Sequence, residues 1–104
     1  MFRDKEEIVW LCMEILKFTS KLRVNRARIY EAGCITQIIH SIVGYKKNTK
    51  ILCAAFFLLE TLSSMAQGKE EILARGLVKI ALNVMATYND NEEVLASGMG
   101  MLLL

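Results

Sequence analysis

The chain repeats its own pattern at an interval of 43 residues, and this repetition limits the folds open to it. Shifted by 43 positions without a gap, it aligns like residues at many places. The matched sets are Ile8, Ile51 and Val94; Leu16, Leu59 and Leu102; Ser20 and Ser63; Ile29 and Ile72; Gly33 and Gly76; Tyr45 and Tyr88; Asn48 and Asn91; and Leu52 and Leu95. A period in the low forties is typical of helical repeats that bury their apolar faces against neighbouring units. The sequence therefore predicts an all-α fold of stacked units.

Glycine and asparagine divide each period into helices. A short helix is predicted from Asn25 to Gly33 and another from Gly68 to Gly76, with the first residue as the start and the glycine just past the end. A second helix follows each of these short helices, over 34–43 and over 77–87 respectively. The predicted buried faces of the second helices are Ile35, Ile38, Ile39 and Ile42, and Val78, Ala81, Leu82 and Met85.

Third helices, longer and more apolar, are predicted after the turns that contain asparagine. They run from Asp4 to about Thr19, over 48–64, and from Asn91 to the end of the sequence. Asn48 and Asn91 can cap the helices that they precede. The middle third helix is apolar on nearly all sides, which predicts an inner helix covered on more than one face.

This order of helices and turns resembles the armadillo repeat over residues 4–104. The closest stretches are IYEAGCITQIIHSIV (29–43) and ILARGLVKIALNVMA (72–86). The resemblance implies a right-handed α-solenoid of about two and a half three-helix repeats in a single region, 1–104. Its parts are the third helix of repeat 1 at 4–20, repeat 2 at 25–64 and a truncated repeat 3 at 68–104. The HEAT repeat is the nearest alternative, but it usually has no separate short helix that ends in glycine.

Armadillo proteins that hold extended peptides have an asparagine on each third helix and a tryptophan four residues earlier. Here the asparagine positions hold Phe18, Thr61 and Leu104, and the tryptophan positions hold Glu14, Phe57 and Gly100. The only tryptophan, Trp10, lies one turn too early. Nuclear-import and cadherin-tail binding are therefore not expected of this chain.

Stacked third helices would instead form a concave surface with different side chains. Its predicted residues are Glu14, Lys17, Phe18, Lys50, Cys53, Phe57, Glu60, Thr61 and Ser64. Phe18 and Phe57 are the expected anchors for a partner peptide or helix, although either ring could instead pack against a neighbouring unit. The predicted function is a non-catalytic protein-interaction scaffold. The alternative is a regulatory segment of a larger enzyme, such as a kinase, that acts on its own chain.

Other classes of function find little support. No phosphate-binding loop, nucleophile motif or metal-ligand spacing is present, so no catalytic residue, cofactor or metal is predicted. The formal charge of +2 does not favour nucleic acid. One basic cluster, which would suit an acidic partner, is the exception: Lys17, Lys21, Arg23, Arg26 and Arg28. Its lack of interleaved aromatic residues makes nucleic acid the less favoured partner.

Cysteine usage and hydropathy bear on the compartment. Three cysteines are an odd number without paired spacing, which fits a reducing environment. The longest apolar run, Ile51 to Leu59, is far shorter than the roughly 20 residues that span a membrane. We expect a soluble protein of the cytosol or the nucleus.

The terminal helices have no polar capping unit. Helical repeats normally need about three units and polar end faces. We therefore expect a fragment or short isoform of a longer solenoid, or self-association through the ends. The residues expected to be partly uncovered are Val94, Leu95, Met99, Met101 and Leu102.

Overall fold

Seven helices account for most of residues 4–103, which are the residues that the computed structural model describes. They are α1 (Lys5–Thr19), α2 (Arg23–Glu31), α3 (Cys34–Gly44), α4 (Thr49–Leu62), α5 (Ala66–Ala74), α6 (Leu77–Thr87) and α7 (Glu92–Leu102). No strand lies within this range. The predicted all-α class is confirmed, and Leu104, expected to complete the last helix, lies outside the described residues.

The helices repeat with the period of the sequence. Helices α2 and α5 have nine residues each, α3 and α6 have eleven, and the helices α2, α3 and α4 each begin 43 residues before their counterparts α5, α6 and α7. The short helices nevertheless begin two residues earlier than predicted, at Arg23 and Ala66. Asn25 and Gly68 therefore lie inside helices, and the prediction that they start them is wrong.

Gly68 lies inside α5 because it is needed for packing. A Cβ atom added at Gly68 would collide with the backbone carbonyl oxygen of Leu62, at the end of α4. Gly68 is itself buried. Its missing side chain lets the first turn of α5 approach the end of α4, so this glycine serves close approach and not capping.

The predicted helix ends after the short helices are confirmed. Gly33 has a φ of 82° and Gly76 a φ of 70°, both in the left-handed region that glycine tolerates best. Asparagine caps the third helices as predicted: the Asn48 side-chain oxygen accepts from the N–H of Ile51 at 3.2 Å, and Asn91 accepts from Val94 at 3.1 Å.

Helix α4 is the inner helix of the fold, as the sequence predicts. It packs against α1, α2, α3, α5 and α7. Its buried side chains include Leu52, Phe56 and Leu59, and Met13 of α1 and Met101 of α7 join the same core cluster. Because α1 and α7 pack on α4, the three third helices are neighbours.

The second helices match their predicted faces with one exception. Ile35, Ile38 and Ile42 of α3 are buried, and Ala81 is the buried member of the α6 face. Leu82 is 53% exposed, so its predicted burial is wrong. Helices α3 and α6 lie side by side, and no helix of the described chain covers the far side of α6.

The last helix is better covered than the sequence predicts. Val94 and Met101 have no exposed surface, so the expectation that they are partly uncovered is wrong. Both belong to α7, which packs on α4. Leu95 and Leu102 are half-buried, and Met99 is exposed.

Candidate partner-binding groove

One depression crosses the three third helices. Its lining residues are Trp10, Glu14 and Lys17 from α1; Lys50, Cys53, Ala54 and Phe57 from α4; and Glu93 and Ser97 from α7. Five of the nine residues predicted for the concave surface line this depression. We refer to the surface formed by the lining residues together with Phe18, Glu60, Thr61 and Ser64 as the groove.

None of the nine predicted residues is buried in the core. Glu14, Lys17, Cys53 and Thr61 are half-buried, and the other five are exposed. Phe18 is 68% exposed and Phe57 is 41% exposed. By contrast Phe56, the next residue to Phe57, has no exposed surface. The choice between groove and core that the sequence leaves open for the two rings is therefore resolved toward the surface.

Each exposed ring of the groove has a lysine above it. The Lys17 ammonium nitrogen lies 5.0 Å from the centre of the Phe57 ring. Lys50 lies 5.3 Å from the centre of the Trp10 ring, and Lys21 lies 4.6 Å from that of Phe18. Contacts of this kind at exposed sites contribute about 0.5–1 kcal/mol each. The groove thus offers aromatic faces and positive charges in alternation.

Hydrogen bonds hold the α1 side of the groove. Lys17 donates to the Glu14 carboxylate, at 3.2 Å from one oxygen and 3.4 Å from the other. At the end of the groove, the Arg26 guanidinium donates to the Ser64 hydroxyl at 2.7 Å. Lys17, Lys21 and Arg26 of the predicted basic cluster are therefore already engaged with the groove and are not a separate anionic site.

The α7 side of the groove is acidic and open. The Glu60 carboxylate extends from α4 over Gly100 of α7, where an added Cβ would lie 2.7 Å from one carboxylate oxygen. Burial raises the pKa of the Cys53 thiol; a hydrogen bond with Ser97 lowers it, Glu93 raises it, and Lys17 lowers it. The thiol therefore lies on the groove floor where the charges of α1 and α7 meet.

Sequence reasoning missed four lining residues: Trp10, Ala54, Glu93 and Ser97. The period of 43 could have found two of them, because Glu93 occupies the position of Lys50, and Ser97 that of Ala54. Trp10 occupies the position of Cys53, which the sequence did place in the groove. Applying the repeat to all three helices would have extended the groove to α7.

Among residues 4–103, no helix is long and apolar enough to cross a membrane. Within the same range, no cluster of three or more His, Cys, Asp or Glu residues could hold a metal ion. In comparisons with known proteins, no protein-family model, no curated protein and no solved structure matches this chain.

Proposed function

We propose that the chain is a non-catalytic interaction scaffold that binds a segment of another protein in the groove. The observation that supports this most directly is the pair of exposed rings, Phe18 on α1 and Phe57 on α4. Aromatic side chains left at the surface on adjacent helices are typical anchors of protein interfaces. We also propose an armadillo-like solenoid for the arrangement of the helices. Support comes from the 43-residue period, the left-handed glycines and the contact of each third helix with the next.

The expected ligand is an extended or helical peptide with apolar side chains and acidic neighbours. Apolar side chains would pack on Phe18 and Phe57, while carboxylates would pair with Lys17, Lys21 or Lys50, which lie directly above the rings. Glu60 and Glu93 on the α7 side would disfavour a uniformly acidic ligand. The argument is the same whether the segment belongs to a separate protein or to another part of a longer chain, and we place the interaction in the cytosol or the nucleus.

A comparison of bait variants tests this proposal. Wild type, the double variant Phe18→Ser/Phe57→Ser and the control Val43→Ser are used to capture partners from a cell extract. Val43 is a suitable control because it is an aliphatic residue, 51% exposed, on α3 and outside the groove. Captured proteins are then purified and their binding to each variant is measured by calorimetry.

We expect the double variant to lose at least about 30-fold in affinity, since interface anchors typically contribute 2 kcal/mol or more. The control should bind like wild type, and thermal melts should show that all three variants fold. A captured partner that binds the double variant as tightly as wild type would contradict a role for the groove.

A further inference from the structure

The outer face of α1 is apolar and uncovered. Ile8 is 50% exposed and Ile15 is 62% exposed, and both lie on one side of the helix. Cys12 lies between them on the same side and is also exposed. Two large aliphatic side chains so far exposed on one helix face are a candidate interaction surface. We refer to Ile8, Cys12 and Ile15 as the leading face.

The repeat shows what covers this position elsewhere in the molecule. Forty-three residues after Ile15 lies Leu58 of α4, and 43 residues later lies Met101 of α7. Neither has any exposed surface. Helix α4 has α1 packed before it, and α7 has α4 packed before it. The same position is thus buried on each third helix that has a predecessor and exposed on the one that does not.

The opposite face shows the reverse order. Met13 of α1 is 4% exposed and Phe56 of α4 is fully buried, whereas Met99 of α7, at the same repeat position, is 50% exposed. Here the position is buried on each third helix that has a successor. Met99 and the half-buried residues Leu95 and Leu102 on α7 form what we call the trailing face.

We propose that the trailing face of one copy of this chain packs on the leading face of another, so that copies associate head to tail. The contact would reuse the junction that the molecule makes internally, once between α1 and α4 and once between α4 and α7. It leaves a free face at each end, which makes it heterologous and open-ended.

Charge favours this arrangement over a symmetric pairing of two leading faces. Residues 1–52 contain ten Lys and Arg against five Asp and Glu, a net charge of +5, while residues 53–104 contain three against six, a net charge of −3. Head-to-tail contact brings a basic half next to an acidic half. Pairing two leading faces would bring two basic halves together, which electrostatic complementarity disfavours.

Complementary end variants test the proposal. Ile15→Glu places a charge on the leading face and leaves the trailing face intact, and Met99→Glu does the reverse. Both residues are at least half exposed and neither lines the groove, so both variants should fold. Val43→Glu, an exposed aliphatic position on α3, is the matched control. Sedimentation velocity from about 5 to about 500 µM follows association over the range expected for a weak contact.

Wild type and Val43→Glu should increase in mass with concentration and pass beyond a dimer. Ile15→Glu and Met99→Glu should each remain monomeric. Mixed in equal amounts they should form a 1:1 dimer and nothing larger, because only one intact leading face and one intact trailing face remain to meet. Circular dichroism and a thermal melt verify the fold of each variant, and Ile8→Glu replaces Ile15→Glu if the latter does not fold.

Two results would overturn the proposal. A wild-type chain that stays monomeric over the whole range would show that another protein, or nothing, covers these faces. Association that survives in Met99→Glu but is lost in Ile15→Glu, without recovery on mixing, would identify a symmetric contact between two leading faces.

Discussion

The ammonium nitrogen of Lys17 on α1 lies 5.0 Å from the centre of the Phe57 ring on α4. This contact joins two adjacent third helices across the groove while leaving 41% of the Phe57 surface exposed. Phe56, one residue earlier, points into the core and has no exposed surface. Two phenylalanines adjacent in sequence therefore serve different purposes, binding in one case and stability in the other.

Alanine substitution should separate these two rings. Phe56→Ala removes a fully buried ring and should lower the free energy of unfolding by about 3–5 kcal/mol. Phe57→Ala should cost about 1 kcal/mol, because much of its ring is already in water and its contact with Lys17 is worth less than that. Urea denaturation monitored by circular dichroism measures both. Losses of equal size would mean that Phe57 is a core residue.

The local signals in the sequence account for the parts of the fold that were predicted. Helical periodicity identified α4, and Asn48 and Gly33 act through their own backbone neighbours, so the helix ends near them could be read directly. The position of Gly68 could not be read in this way, since its role depends on the carbonyl of Leu62 in a different helix.

The same distinction explains the candidate site. Phe18 and Phe57 are large apolar residues at polar positions of the repeat, a signal visible without coordinates. Trp10 and Glu93 join the groove only because α1 and α7 both pack on α4. The burial of Met101 likewise depends on α4, which is why a sequence argument based on the last helix alone left it uncovered.

The left-handed glycines should resist substitution. Gly33→Ala and Gly76→Ala place a Cβ at φ values of 82° and 70°, and each should lower the free energy of unfolding by about 1–2 kcal/mol. No atom lies within 4 Å of the added Cβ, so the cost comes from backbone strain alone.

Gly44 is the matched control for this strain. It also has nothing within 4 Å of an added Cβ, but it ends α3 without a left-handed φ. Gly44→Ala should be neutral or stabilising by up to about 1 kcal/mol, because alanine favours helix and restricts the unfolded chain. Thermal or urea unfolding that gives Gly44→Ala the same loss as Gly33→Ala would refute the assignment of strain.

Two further glycines should differ according to what they contact. In Gly68→Ala the new methyl meets the backbone oxygen of Leu62, which cannot move without displacing α4 from α5, so a loss of about 2–3 kcal/mol is expected. In Gly100→Ala the methyl meets the end of the Glu60 side chain, which can rotate away into solvent. That variant should lose less than about 1 kcal/mol. Denaturant titration of both variants checks the order, and the reverse order would show that Glu60 is held rigidly on α7.

The three thiols should differ in reactivity and should make stability depend on pH at the alkaline end. Cys12 is exposed, whereas burial raises the pKa of the Cys34 and Cys53 thiols. Alkylation requires the thiolate and access, so Cys12 should react first and the buried Cys34 last, as mass spectrometry after timed labelling would reveal. A raised pKa in the folded state means that folding favours the neutral thiol. This contribution to stability is complete below the ordinary thiol pKa of about 8.5 and is lost as the pH rises through the raised values. The wild type should therefore lose more stability between about pH 8 and pH 10 than a Cys34→Ala/Cys53→Ala variant, in which only the other titrating groups respond. Identical pH profiles for the two proteins would mean that these thiols ionise as easily in the folded chain as in the unfolded one.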